Sequence, residues 1–456
     1  VPITNSTDTI CAVATPAGKG GISVVKLSGS KSAYICQKIT GAVPAPRTVS
    51  MSWITDCSGN VIDQAIILFF STPHSYTGED VCEFHVHGSP VVVDLILSLL
   101  LELGARLARP GEFSERAFLN GKIDLAQAEA VSDLIDSSSI VAARLAIRSL
   151  NGDFSRLINT LVASIINLRV YVEAAIDFPE EEVDFLNSGS VADKVDRLLD
   201  EVGAVLKQAE QGVVIKEGIR VVIAGEPNAG KSTLLNALSG MESAIVTEIP
   251  GTTRDLLRQE INIGGLPLHI IDTAGLRESD DIVEQEGIRR AWKAIEEADR
   301  ILLIVDWRHS ENFRNSRIWQ RLNLISQIKS RITVVFNKID LSDKTLQLNS
   351  CSDFPTISIS AKELIGLDRL REHLQECAGF IPEGEGGFIA RRRHLDSLLR
   401  TQLALSSAKV QLHKFKAGEL VAEELRNAQQ SLSEITGIVT ADDLLGEIFG
   451  SFCIGK

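Results

Sequence analysis

Aromatic residues are scarce, at 5% of the 456 residues, so the cores of this chain must be built from aliphatic side chains. Positive charge is short as well: 46 lysines and arginines face 60 aspartates and glutamates, a formal net charge of −14. That balance excludes a protein that coats nucleic acid by bulk charge. No DNA binding is expected, and any RNA contact has to be a local basic patch. Cysteine is sparse and unpatterned: seven residues with no C-x-x-C pair fit reduced thiols in a cytoplasmic protein. Long apolar runs are missing. The longest, such as Val91 to Leu101, are interrupted or too short for a bilayer, and no membrane association is expected. The opening Val1-Pro2-Ile3-Thr4-Asn5 has neither the basic nor the apolar region of a secretory signal. What remains is an ordinary globular composition, 44% hydrophobic and 23% charged. Its length has room for about three domains.

Along the chain, residues 1–121 read as a small α+β domain. Strand patterns run over Thr9–Ala14, Ile22–Leu27, Val61–Phe70 and Asp80–His87. Helices are expected over Ser30–Thr40 and from Pro90 to about Leu103, with proline in the first turn. In Phe84-His85-Val86-His87-Gly88 both imidazoles share one face with Glu83. A polar pocket or structural role suits them better than a metal pair, because no third ligand set recurs nearby. Residues 122–217 read as all helix: Asp124–Asp136, Ser139–Leu150, Phe154–Ala175 and Val191–Gln208, with Asp124 and Ser139 as N-caps. Strands return over 218–379, alternating with helices as a doubly wound sheet does, and Gly264-Gly265 marks a hairpin. Residues 380–456 open on the linker Pro382-Glu383-Gly384-Glu385-Gly386-Gly387. They continue as helices over Ile389–Gln411 and Glu419–Ile435. The α/β domain is thus read as an insertion in a helical domain made of two segments.

The chemistry concentrates in Gly225-Glu226-Pro227-Asn228-Ala229-Gly230-Lys231-Ser232, which fits G-x-x-x-x-G-K-[ST] between a strand and a helix that begins with Thr233. Glycines let the backbone wrap a phosphate at a helix N-terminus. Lys231 reaches the β/γ-phosphates, and the Ser232 hydroxyl suits Mg²⁺. Four further stretches narrow the ligand to GTP. Asp272-Thr273-Ala274-Gly275 follows a strand, where the carboxylate acts on Mg²⁺ through water and Gly275 senses the γ-phosphate. Asn337-Lys338-Ile339-Asp340 follows another; the Asp340 carboxylate accepts from guanine N1–H and the 2-amino group, donors adenine lacks. Ser360-Ala361-Lys362 offers backbone N–H groups to guanine O6, and Gly251-Thr252-Thr253-Arg254-Asp255 lies where a γ-phosphate-ordered switch belongs. In Ras-like enzymes a water-positioning Gln follows the aspartate motif. Here it is Leu276, so another group must orient water, with Glu278, Asp280, Asp281, Glu284 and Glu286 as candidates.

Outside the GTPase set lie Ala14-Thr15-Pro16 with Gly18-Lys19-Gly20-Gly21, Tyr76-Thr77-Gly78-Glu79-Asp80, and Arg109-Pro110-Gly111-Glu112-Phe113-Ser114-Glu115-Arg116-Ala117-Phe118-Leu119-Asn120. Asp124-Leu125-Ala126-Gln127-Ala128-Glu129-Ala130 and Phe452-Cys453-Ile454-Gly455-Lys456 complete the set. In these the chain resembles the MnmE (TrmE) family of tRNA-modification GTPases over its full length. The resemblance implies an N-terminal folate-binding domain that makes a homodimer, a two-segment helical domain and an inserted GTPase domain. It implies work with MnmG, an FAD enzyme, in a heterotetramer. The complex adds a (carboxymethyl)aminomethyl-type group to the wobble uridine of certain tRNAs, using 5-formyl- or methylene-tetrahydrofolate. It further implies K⁺ held by Asn228, Thr247, Ile249 and Thr252 within the segment Thr247-Glu248-Ile249-Pro250-Gly251-Thr252, with Thr253 joining Ser232 on Mg²⁺. Glu284 matches the family's water-orienting glutamate. The folate positions match Lys26, Glu83, Lys122 and Lys456, and Cys453 matches a C-terminal cysteine that is a candidate catalytic thiol. Lys26 stands where the family often has arginine and lacks its bidentate fork. Two other readings compete: an RNA-binding assembly GTPase, which a basic RNA-binding module would support and this acidic chain does not display, and a folate-binding scaffold whose GTPase domain only switches.

Overall fold

The computed structural model describes residues 8–177, 190–240, 258–272, 282–341, 353–381, 387–415, 417–439 and 442–455. In chain order, β1 (Thr9–Val13), β2 (Gly20–Ser28), α1 (Ser32–Thr40), β3 (Ser50–Thr55), β4 (Val61–Phe70), β5 (Val81–Gly88), α2 (Pro90–Glu102) and β6 (Ala105–Leu107) come first. Helices α3 (Glu112–Leu119), α4 (Leu125–Ile135), α5 (Ile140–Leu150), α6 (Asp153–Asp177) and α7 (Ser190–Glu217) follow. Next are β7 (Ile219–Gly225), α8 (Lys231–Gly240), β8 (Arg258–Ile263), β9 (Leu266–Asp272), α9 (Ile282–Glu297), β10 (Arg300–Asp306), α10 (Arg317–Leu324), β11 (Ile332–Asn337), β12 (Thr356–Ser358) and α11 (Leu367–Ala378). The chain closes with α12 (Arg392–Val410), α13 (Gly418–Thr436) and α14 (Asp442–Gly450). It forms two compact units, one of Val1–Ser132, Arg148–Gly203 and Ser397–Lys456, the other of Asp133–Ile147 and Ala204–Asp396.

The first unit carries a sheet of order β3-β4-β5-β2-β1-β6, antiparallel except for the β1–β6 pair. Along β4 the alternate residues Ala65, Ile67 and Phe69 are buried, the period-2 signature of a sheet with one covered face. They pack with Val25, Leu27, Phe84 and, from α2, Ile96 and Leu100. Two strands escaped the sequence reading. β3, Ser-Met-Ser-Trp-Ile-Thr, is an edge strand whose Met51 and Trp53 are exposed, so its pattern does not read as a core face. β6 is only three residues long. The N-caps hold: the Gln127 amide donates to Asp124 Oδ1 at 2.8 Å while the Asp124 amide donates to Gln127 Oε1 at 3.0 Å, a reciprocal capping box. The Ala142 amide donates to Ser139 Oγ at 3.0 Å. Helix α6 is long and apolar enough by length and composition to cross a bilayer, but Ile158, Leu161, Ile165, Leu168 and Val172 are buried at helical spacing and it packs along α13.

The second unit holds the doubly wound sheet, order β12-β11-β10-β7-β9-β8, parallel apart from β8. Its strands are buried on both faces: Val221, Val222, Ile223 and Ala224 of β7 and Ile301 to Ile304 of β10 are all at most 2% exposed. Gly264 and Gly265, both at positive φ, make the β8–β9 hairpin. Strand β7 lies where the strand order reverses, and its C-terminal end, with those of its neighbours, opens the crevice in which this fold takes ligands. Helix α12 starts at Arg392, later than its apolar pattern suggests. Phe388, Ile389 and Ala390 are buried and non-helical against α7, where a Cβ on Gly212 would stand 2.3 Å from the Phe388 carbonyl oxygen. Beside them, Asp133 Oδ1 accepts from Lys216 Nζ and from Arg391 Nη2, both at 2.8 Å, and Arg392 Nε donates to Glu217 at 2.9 Å. Arg391 and Arg392 thus bind carboxylates of their own unit.

Candidate functional site

The glycine loop joins β7 to α8 as its sequence predicts. Asn228 takes a left-handed φ of 62° and Gly230 one of 96°, which turn the chain back on itself. A Cβ on Gly230 would stand 2.2 Å from Asn337 Nδ2, so only glycine fits. Lys231 Nζ donates to the Gly225 and Glu226 carbonyls at 2.8 and 3.1 Å, which folds the ammonium over the concave side of the loop. Ser232 and Thr233 are exposed at the start of α8.

Asn337, only 2% exposed, is the hub that collects the separate motifs. Its Nδ2 donates to the Ala229 carbonyl at 2.9 Å; its Oδ1 accepts from the Lys338 amide at 2.8 Å and the Ala361 amide at 3.0 Å. One buried amide thereby fixes the glycine loop, the loop after β11 and the loop after β12 at the C-terminal end of the sheet. Asp340 is exposed there and accepts from Ser360 Oγ at 2.5 Å through Oδ1. Ser360 Oγ also accepts from the Glu363 amide at 3.2 Å, while Lys362 is exposed.

A second residue at this end carries no motif in the sequence. Asp306, the last residue of β10 and 8% exposed, accepts from Lys338 Nζ at 2.8 Å and from Arg308 Nη2 at 2.7 Å. The hydrogen bonds from Arg308, against the opposing effect of burial, and the one from Lys338 hold its carboxyl well below the ordinary aspartate range. The one available signal was an acidic residue closing the apolar run Ile301-Leu302-Leu303-Ile304-Val305 at the ligand end of a parallel strand.

Not every predicted position falls among the described residues. Thr247, Glu248, Ile249, Pro250, Gly251, Thr252, Thr253, Thr273, Ala274, Gly275 and Lys456 lie outside them, as does Leu276. Asp272 closes β9, at the same sheet end as Asn337, and Glu284 falls in the first turn of α9. In the first unit, β2–β5 register places Lys26 opposite Glu83, with Nζ 4.0 Å from Oε1. His85 Nε2 lies 3.3 Å from the other Glu83 oxygen, so a cation, a carboxylate and an imidazole share one sheet face. Lys122 Nζ donates to the Pro73 carbonyl at 2.9 Å. His87 pairs separately with Asp63 at 2.7 Å. Cys453 is exposed, and its carbonyl accepts from the Gly111 amide at 3.3 Å.

The stretches outside the GTPase set meet in space. Arg116, 6% exposed, donates to both Glu79 oxygens at 3.1 Å and to Asp8 and Glu112 at 3.0 and 3.1 Å. Asn120 Nδ2 donates to the Thr77 carbonyl at 2.7 Å, and Tyr76 shares a hydrogen bond with Ser114 at 2.9 Å. Tyr76–Asp80 and Arg109–Asn120 are therefore two sides of one polar joint.

A family model described as the GTP-binding protein TrmE N-terminus matches residues 9–122, and one described as the MnmE helical domain matches 125–453. The tRNA modification GTPase MnmE of Proteus mirabilis is 54% identical over 453 residues, which cover 99% of this chain and 100% of that protein. The protein of the same name from Marinobacter nauticus is 54% identical over 455 residues, 99% of each chain. Among solved structures, the G domain of the T. maritima FeoB iron transporter is 28% identical, covering 35% of this chain and 98% of that one with a TM-score of 0.28. Joined to the strand order, the glycine loop and the hub at Asn337, the family models and the two full-length relatives mean that the chain belongs to the MnmE (TrmE) family of tRNA modification GTPases.

Proposed function

We propose that this protein is a K⁺-stimulated GTPase that, with the FAD enzyme MnmG, installs the 5-(carboxymethyl)aminomethyl group on the wobble uridine of certain tRNAs, drawing one carbon from a tetrahydrofolate. The protein is cytoplasmic and works as a homodimer within a heterotetramer. Its parts are a folate-binding and dimerisation domain at 1–121, a helical domain at 122–217 and 380–456, and a GTPase domain at 218–379. The observation that supports the GTPase part of the reading is the Asn337 hub, which sets the phosphate loop beside the exposed Asp340 carboxylate.

The residues fit the groups this function needs. Lys231 Nζ donates to the Gly225 and Glu226 carbonyls, so a bound triphosphate would take over an ammonium already held at the loop. Ser232, an exposed hydroxyl at a helix start, suits a hard cation; with Thr253 it would hold Mg²⁺. Asn228 is exposed on the loop and with oxygens of Thr247, Ile249 and Thr252 would hold K⁺. A monovalent cation there supplies charge beside the β/γ-phosphates, where an arginine finger acts in other GTPases. Glu284 orients the attacking water, the role Leu276 cannot fill. Glu83 suits the donor edge of a pterin, and Lys26, Lys122 and Lys456 suit the carboxylates of a folate tail. Cys453 is the candidate thiol of the modification step.

GTP turnover measured in KCl and in NaCl tests the potassium mechanism. Turnover rises at least about tenfold in KCl; equal slow rates in both salts would sink it. Glu284→Ala lowers turnover about 10²-fold while GDP affinity holds. Nucleoside analysis of tRNA from cells lacking the protein tests the larger assignment, which fails if the wobble-uridine modification persists.

A further inference from the structure

We infer that Asp306 is a positioning residue for guanine recognition: it anchors Lys338, and through Lys338 it fixes both the base-binding loop and the backbone of Asn228. The inference rests on the GTPase reading above and deepens it. A lysine has a long, freely rotating stem, and fixing its head costs side-chain entropy. Lys338 is nevertheless held at two points, by the Asn228 carbonyl at 2.6 Å and by Asp306 Oδ2 at 2.8 Å. Its own backbone sits at a left-handed φ of 67°, an uncommon conformation for a side-chain-bearing residue. Asp306 is in turn braced: Arg308 donates Nε and its backbone amide to Oδ1, both at 3.0 Å, and Nη2 to Oδ2 at 2.7 Å. The carboxylate is therefore fixed by its own strand end and a neighbouring turn before Lys338 reaches it.

Two consequences follow. Asp340 lies two residues beyond Lys338 in the same loop, so loosening Lys338 loosens the carboxylate that reads the base. Asn228, itself at φ 62°, is held through its carbonyl by the same ammonium, so the backbone that carries its exposed side chain is fixed in the loop. Asp306 touches neither base nor phosphate; it acts on both through one lysine.

The test is a double-mutant cycle read by calorimetric binding of GDP and ADP to the full chain. Asp306→Asn, which keeps the side-chain shape, weakens GDP about tenfold. ADP, which offers Asp340 no donors, changes less than about twofold, so discrimination falls. In a Lys338→Met background the same substitution has little further effect on GDP. The K⁺ concentration giving half-maximal GTP turnover also rises in Asp306→Asn. Asp306→Glu, read in the same two backgrounds, keeps the buried charge and gives a smaller loss that likewise vanishes without Lys338. Unchanged GDP affinity in both Asp306 variants overturns the inference, as does an equal loss in both backgrounds, which would mean Asp306 acts on the fold rather than through Lys338. Wild-type protein that binds no GDP would instead overturn the GTPase reading itself, an outcome visible before any variant is made.

Discussion

Among the described residues, two six-stranded sheets are held together in opposite ways. The parallel sheet of the second unit is mostly aliphatic on both faces, and buried polar groups gather at its C-terminal strand ends, around Asn337 and Asp306. The mostly antiparallel sheet of the first unit is covered on one face and tied at its margin by a buried ionic joint, in which Arg116, Glu112, Arg106, Asp8 and Glu79 meet. In one, polar residues are concentrated where ligand chemistry occurs and contribute little to the core. In the other, they are part of what closes the fold.

That contrast can be broken most directly at Arg116. Arg116→Ala removes the buried guanidinium shared by Glu79, Asp8 and Glu112, the last two of which keep Arg106, and thermal unfolding should show the first unit destabilised by about 1–3 kcal/mol, with GDP binding intact. A neutral result would mean the joint is ornamental. The mirror experiment is Lys231→Ala, which should cut GTP turnover about 10²–10³-fold while leaving the unfolding midpoint unchanged. Loss of stability there would erase the distinction between the two sheets. Gly230→Ala falls between these cases. Its Cβ would push into Asn337 Nδ2, so about 1–3 kcal/mol is lost and nucleotide affinity falls with it, measurable by calorimetry beside a melt.

The smallest effect is a titration. Burial pushes the Glu112 carboxyl up, but hydrogen bonds from the Arg106 side chain, the Arg109 amide and the Arg116 side chain outweigh it and leave the carboxyl below its ordinary value. The unfolded carboxyl therefore takes up its proton at higher pH than the folded one. The stability Glu112 contributes is complete above the unfolded value and is lost as pH falls through the folded one. Unfolding followed from neutral to acid pH should show this loss in wild type and not in Glu112→Gln; identical slopes would contradict it.

The same contrast explains what could be read from residues alone. The second unit's motifs are contiguous and sit at strand ends, so strand patterning located Gly225–Ser232, Asn337–Asp340 and Ser360–Lys362 together with their surroundings. Asp306 was not legible, because a lone aspartate after an apolar run has many structural uses and its partner lies 32 residues on. In the first unit, Tyr76–Asp80 and Arg109–Asn120 carried no chemistry as strings. Their meaning is their contact, made across 37 residues between Glu79 and Arg116, and only the family resemblance drew attention to them. Edge strand β3 was hidden because an edge with exposed Met51 and Trp53 lacks a clean buried alternation. The start of α12 was misplaced because Phe388-Ile389-Ala390 is apolar for packing on α7, not for helical periodicity.

The ion pair between Arg391 and Asp133 spans 258 residues of sequence, and that separation sets an order of events as the chain folds. Closing so long a loop in an unstructured chain is slow, because the ends must meet by diffusion. A folded α/β insert changes the problem. The Ile381 amide donates to Gln211 Oε1 at 3.1 Å, and Gln211 donates back to the Gly379 carbonyl, so the two ends of the insert already lie side by side on α7. Once that sheet has formed, the contour separating Lys216 from Arg391 collapses to a few residues. Asp133 then has both of its cations delivered together. The pairing of Asp133 is therefore expected to follow the folding of the insert, and a refolding experiment in which Asp133→Asn slows the early phase would contradict that order.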